Sequence, residues 1–213
     1  MKLYDLITNR SARGIEDLPP VVVGNSATDL GTSATEEPGP STSQSEHQLA
    51  TLGAGCFWCL DAIARRSPGI ISSVVGYGGG TGPAPTYNDL HHSNSGYIET
   101  VQLEFDPDVI SYREVLDLFF RSHDPTTANQ DGANRGPEYH STVFYRSDEQ
   151  RTVAEAAVDF YESAIGRPII TSLCPFTTFF PAETEHQDFF NSNPTHPYCT
   201  FVVMPKLAKV LKE

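Results

Sequence analysis

The chain has 213 residues, with 27 acidic against 14 basic side chains and a formal net charge of -13. That balance repels phosphate backbones and anionic lipid, and no basic run offsets it locally, so neither nucleic acid nor a membrane surface is an expected partner. No apolar stretch approaches the roughly 20 residues that span a bilayer, "MKLYDLITNR" lacks the apolar core of a secretory signal, and 4 cysteines are too few for a secreted disulfide scaffold; a soluble cytoplasmic protein is expected.

Residues 24–47 are almost all Gly, Ser, Thr, Pro and acidic, too poor in apolar groups to offset the entropy of ordering the backbone. Residues 1–47 therefore read as an N-terminal extension, largely linker, and residues 48–213 as one domain. "LATLGAG" reads as a strand that leads into a helix over 56–66, with Leu60, Ile63 and Ala64 at helical spacing and "SPG" as its stop. "IISSVVGY" is a β-branched strand. "YIETVQLEFDP" is a second, placing Tyr97, Glu99, Val101, Leu103 and Phe105 on one face. Ser111 and Glu114 stand in capping-box spacing ahead of an amphipathic helix, "SYREVLDLFFRSH". "STVFYRS" follows as a strand, then a helix from Ser147 to its stop at Gly166, then a fifth strand in "RPIITSL" and a last helix over 182–191.

Strand, helix, strand, strand, helix, strand is the order of a ferredoxin-like split βαβ core. An α+β fold is expected, with helices on one face of an antiparallel or mixed sheet. Residues 78–96 and 124–139 lack a regular pattern and are richer in Tyr, His and Asn than ordinary linkers. Irregular segments of that length inside a domain commonly form site walls.

Cys56 falls where the first strand gives way to a helix, a position in which unpaired N–H groups and the positive helix end lower a thiol pKa. Cys59, completing a Cys-x-x-Cys pair, acts in the same direction. The alternative is a small buried residue. Phe57 and Trp58 are either core aromatics or an apolar wall for a small alkyl or thioether group. Glu99, interleaved with apolar residues, is either desolvated, and so held protonated as a general acid, or wet at a strand end. Tyr87 and Tyr139 either donate to a substrate oxygen or are half-buried loop rings. Cys199, in "NPTHPYCTF", is placed on a mobile tail that can reach another thiol, or is a surface residue without a role. Cys174 is most simply core. "GYGGGTG" lacks the spacing of a phosphate loop, and no second close Cys or His pair accompanies Cys56 and Cys59 to make a structural zinc site, for which His91 and His92 are a weak substitute.

In this order, "GCFWC", "VVGYGGG", "PTY", "GYIE", "FDPDVISYREVLDLFF", "HDPT", "EYHSTVFY", "FFPAETEHQDFF" and "NPTHPYC" resemble the A-type peptide-methionine sulfoxide reductases, from about residue 48 to the C-terminus. The resemblance implies reduction of methionine S-sulfoxide, free or in oxidised proteins and peptides, to methionine. It makes Cys56 the nucleophile, Phe57 and Trp58 the pocket for the S-methyl group, and Glu99 the acid that protonates the sulfoxide oxygen. Tyr87 and Tyr139 would hydrogen-bond that oxygen, with Asn134 and His186 also in the pocket wall, although a satisfied helix histidine is the simpler reading of His186. Cys199 would resolve the sulfenic acid on Cys56 as a disulfide, which thioredoxin, or dithiothreitol in vitro, discharges. A monomer with no bound cofactor and no metal follows from the same resemblance. Four positions depart from the common pattern: Cys59 for Gly, either a second resolving thiol or a residue that only tunes Cys56, Asn134 for Asp, His140 for Arg and Tyr97 for His. Two rival readings remain at this level. One is a thiol-disulfide oxidoreductase that uses Cys56 and Cys59 directly, and the other is a binding protein with a relic site.

Overall fold

The computed structural model describes residues 46–92 and 95–211. The expected extension lies outside them except for its last two residues, of which His47 meets Glu104 at 3.0 Å. The chain forms β1 (Gln48–Gly53), α1 (Phe57–Ala64), β2 (Ile70–Gly78), α2 (Tyr87–His92), β3 (Ile98–Phe105) and α3 (Tyr112–Ser122). A small hairpin, β4 (Gln130–Asp131) and β5 (Asn134–Arg135), and a 3-10 turn (Pro137–Tyr139) come next. They are followed by β6 (Thr142–Tyr145), α4 (Asp148–Ile165), β7 (Ser172–Pro175), β8 (Phe179–Pro181), a 3-10 turn (Thr184–His186) and α5 (Phe189–Ser192). The described chain ends in a π turn (Cys199–Val203) and α6 (Met204–Leu211).

The main sheet runs β7-β6-β1-β3-β2-β8, antiparallel throughout except for the parallel β6–β7 pair. Its four inner strands and their crossovers are the expected split βαβ core, and the sheet is of the mixed α+β kind. Val101, Leu103 and Phe105 of β3 enter one core with Leu60 of α1 and Leu116 and Phe119 of α3. Alternate residues face the other way, where the Arg146 guanidinium donates to Thr51 at 2.9 Å and Gln102 at 2.6 Å. The period-2 alternation of β3 thus sorts apolar from polar between the two faces. The Ser111–Glu114 capping box is present in both directions, and Gly166, at φ 72°, closes α4. Among the described residues no helix is long and apolar enough to cross a membrane.

Three expectations are corrected. The fifth strand begins later than "RPIITSL" suggested, because the Ile170 N–H is taken by the Pro125 carbonyl and pairing with β6 starts only at Ser172. The helix expected over 182–191 is broken into a 3-10 turn and one α turn. Asp188 takes the left-handed conformation (φ 49°), and the Gln187 side chain bonds both the N–H and the carbonyl of Val75, tying the segment to β2. The C-terminal tail is a packed helical element: Val203, Leu207 and Val210 lie against Cys56, Cys59, Ala62 and Ile63.

A buried imidazole ties α3 to β6. His123 is 6% exposed, with Nδ1 at 2.9 Å from the Phe119 carbonyl and Nε2 at 2.7 Å from the Ser141 hydroxyl, and burial pushes its pKa down to about 4. An unfolded histidine takes up its proton near 6.5, so this contribution to stability is complete above that pH and is lost as pH falls toward 4. Urea titrations from pH 7 to 4 should show stability falling more steeply in the wild type than in His123→Gln, by up to about 1.4 kcal/mol per pH unit. Parallel curves would show that His123 does not carry the acid sensitivity.

Candidate active site

Cys56 is the N-cap of α1 and sits in extended conformation. It is reached through Gly55, whose φ is 68° and where a Cβ would collide with the Asp131 side chain. This close approach lets Asp131 Oδ2 accept the Cys56 N–H at 3.3 Å. The next N–H, of Phe57, goes to Glu99 Oε2 at 2.9 Å. Two acidic side chains therefore take the N–H groups expected to act on the sulfur. The Cys56 thiol pKa is raised, not lowered: burial comes first, then hydrogen bonding and charge from Cys59, opposed by the Tyr198 hydroxyl and the Lys206 charge.

The open question about Glu99 is answered by its burial. It is 2% exposed, and its pKa is pushed well above the carboxylate range by burial and then by the Cys56 charge, against the pull of the Phe57 N–H. Tyr87 and Tyr139 stand within electrostatic reach of both Glu99 and Cys56, and burial followed by the Glu99 charge raises both phenols. The irregular segments supply these rings: Tyr87 opens α2 and Tyr139 ends the 3-10 turn after β5.

Over Cys56 lies an aromatic wall. Trp58 stacks on Phe189 at 3.9 Å, Tyr87 stacks on His186 at 4.3 Å, and Phe57 lies 5.8 Å from both Trp58 and His186. Trp58 Nε1 and His186 Nδ1 are buried without a protein partner, which leaves two polar atoms on an otherwise apolar surface. Tyr198 meets Trp58 edge-on at 5.5 Å, and its hydroxyl accepts from Asn134 Nδ2 at 2.7 Å. Asn134 thus holds the hydroxyl that hydrogen-bonds the Cys56 thiol.

All four cysteines are free. Cys59, also buried, donates its N–H to the Cys56 carbonyl at 3.1 Å. Cys199 is fully buried in the π turn, contrary to the mobile tail expected, and burial with the Cys56 charge raises its pKa. Cys174 lies on β7, half-buried. Two of the unusual positions point elsewhere. His140 bonds Asn129 and Ser172, and Tyr97 packs on Gly80 and donates to the Gly82 carbonyl at 2.9 Å. Among the described residues no group of three or more His, Cys, Asp and Glu side chains could hold a metal ion.

Comparison with known proteins bears on this arrangement directly. Residues 48–213 match the family model described as peptide methionine sulfoxide reductase. The chain belongs to that family. Curated relatives named peptide methionine sulfoxide reductase MsrA include one from Sulfolobus acidocaldarius, 44% identical over 78% of this chain and 94% of its own. Another, from Thermus thermophilus, is 45% identical over the same shares. Among solved structures, reduced Mxr1 from Saccharomyces cerevisiae matches with a TM-score of 0.68 at 31% identity, over 72% of this chain and 90% of its own. Methionine sulfoxide reductase A of Corynebacterium diphtheriae matches at 0.64 and 25%, over 84% and 93%.

At this candidate site, sequence reasoning missed Asp131, Glu138, Tyr198 and Lys206, and weighed His91 only as a weak metal ligand. Lys206 Nζ bonds both Asp131 oxygens, at 2.7 and 2.6 Å, so the last helix anchors the carboxylate that holds the Cys56 backbone. Only Tyr198 carried a signal, its place beside Cys199. The others are ordinary charged residues on segments whose approach to Cys56 depends on the fold.

Proposed function

We propose that this chain reduces the S epimer of methionine sulfoxide, free and in oxidised proteins or peptides, with Cys56 as nucleophile and Glu99 as acid. One observation carries the reading: a buried cysteine and a buried carboxyl group meet at one helix N-terminus beside the Phe57 and Trp58 wall. The Cys56 thiol releases its proton to solvent, and the thiolate attacks the sulfoxide sulfur while Glu99 gives its proton to the oxygen. Oxygen passes to the cysteine as a sulfenic acid, methionine leaves, and Glu99 ends as a carboxylate. Tyr87 and Tyr139 donate hydrogen bonds to the oxygen as charge builds on it. Phe57 and Trp58, flanked by His186 and by Tyr198 on its Asn134 tether, hold the S-methyl group. The test is methionine release from each epimer of a blocked methionine sulfoxide, with dithiothreitol as reductant. S-selective turnover supports the reading, and no turnover by folded protein leaves a binding protein with a relic site.

The sulfenic acid then condenses with the Cys199 thiol, releasing water and forming a disulfide that the dithiol of thioredoxin reduces. The contact between the Cys56 and Cys59 thiols favours a second reading, in which Cys59 is the resolving thiol. With thioredoxin as reductant, Cys199→Ser should still release one equivalent of methionine per enzyme but lose at least about tenfold in steady turnover, whereas Cys59→Ser keeps most of it. The reverse pattern would assign resolution to Cys59. A cytoplasmic monomer with no bound cofactor belongs to the same proposal.

A further inference from the structure

Glu99 presents a problem that the reaction itself creates. After each transfer it is left as a carboxylate whose side chain is only 3% exposed, and it must regain a proton before the next turnover. One oxygen, Oε2, already accepts the Phe57 N–H. The other, Oε1, lies 3.8 Å from Nε2 of His91. On the far side of the same ring, Nδ1 sits 2.9 Å from Glu138 Oε1. The imidazole thus stands between two carboxyl groups, one in the catalytic pocket and one behind it. Its own side chain is 20% exposed, so the ring reaches both Glu99 and solvent.

We propose that His91, held by Glu138, is the group through which Glu99 exchanges its proton with solvent between turnovers; this rests on the reading of Glu99 as the acid. Imidazole suits the task because each nitrogen can give or accept a proton in turn. When Nε2 passes its proton to Glu99, Nδ1 is left as the protonated nitrogen, and its hydrogen bond to Glu138 fixes that tautomer. Proton uptake from water then restores the imidazolium. The 3.8 Å gap exceeds a hydrogen bond, and a small ring movement or one bridging water closes it. The Tyr87 ring packs on the imidazole in a T-shaped contact, their centroids 4.4 Å apart. His91 is a positioning and relay group in this scheme and does not touch the sulfoxide.

The test separates the first turnover from those that follow. His91→Ala enzyme begins with Glu99 protonated, so its first equivalent of methionine, measured by rapid quench without reductant, should form at close to the wild-type rate. Steady turnover with saturating dithiothreitol should fall about tenfold or more. Added imidazole should restore it in proportion to concentration, whereas pyrazole, of equal size but far weaker basicity, should not. The proposal is overturned if steady turnover stays within about twofold of wild type. It is also overturned if first and later turnovers fall together with no difference between imidazole and pyrazole. If the wild type itself forms no methionine, the reductase reading fails instead, and the two failures are told apart.

Discussion

Cys56→Ser abolishes methionine formation from the S epimer, with turnover at least about 10⁴-fold below wild type and indistinguishable from protein-free controls. The reason lies in the atom. A serine hydroxyl stays protonated in a pocket that already raises the pKa of the more acidic thiol, and oxygen has no counterpart to the sulfenic acid that takes up the sulfoxide oxygen. The change is small in volume, and Cys56 packs among Cys59, Ala62, Ile63 and Val203, so the variant should fold with a modest loss of stability, on the order of 1 kcal/mol. The measurement is chromatographic release of blocked methionine, with a sulfenic acid trap applied to the oxidised enzyme. Labelling of wild type and not of the variant places the chemistry on Cys56. Retained turnover would move the nucleophile to another thiol, and loss of disulfide reduction when Cys59 is replaced would then favour a thiol-disulfide oxidoreductase.

Glu99→Gln is expected to lower the S-epimer rate by about 10²- to 10⁴-fold. Glutamine matches the shape of the acid and can still accept the Phe57 N–H through its carbonyl, so the geometry of the α1 terminus is retained while the transferable proton is lost. The pH dependence carries the sign. An ordinary glutamate is almost wholly ionised at pH 7, whereas burial raises this one. The wild-type rate should therefore fall as pH rises through the raised value, and Glu99→Gln should lack that alkaline limb. Stability moves the other way. The native protein binds the Glu99 proton more tightly than the unfolded chain does. That contribution is fully present below the unfolded pKa of about 4.3 and is lost as pH rises through the folded value. Thermal melts should then find the variant more stable than wild type at pH 8, with the gain shrinking toward pH 4. A variant with an unchanged alkaline limb would mean that the limb belongs to another group, and a rate within a few-fold of wild type would remove Glu99 from the acid role.

These two expectations differ in how far they could be reached from residues alone. Cys56 was legible because a Gly-rich strand end followed by a helical pattern identifies a helix N-terminus, and the family motif named the same residue. Its pKa was not legible. Burial raises it first, and part of that burial comes from Val203, far along the chain, while Glu99 from β3 and Asp131 from the hairpin, 42 and 75 residues away, take the N–H groups at the helix start. Glu99 was read as either buried or wet, since alternation assigns a face but not what covers that face.

The same division runs through the whole molecule. Local chemistry alone determined the inner strands, the capped helices α3 and α4, the order that makes a split βαβ core, and the cysteine, acid and aromatic candidates, because periodicity, caps and motifs are properties of neighbouring residues. Tertiary structure decided the break at Asp188, the burial of Cys199 in a packed C-terminal helix, the Lys206–Asp131 anchor and the approach of His91 to Glu99. Each of these comes from segments far apart in the chain competing for the same backbone groups or the same charge, and such a competition is settled only once the sheet has brought them together.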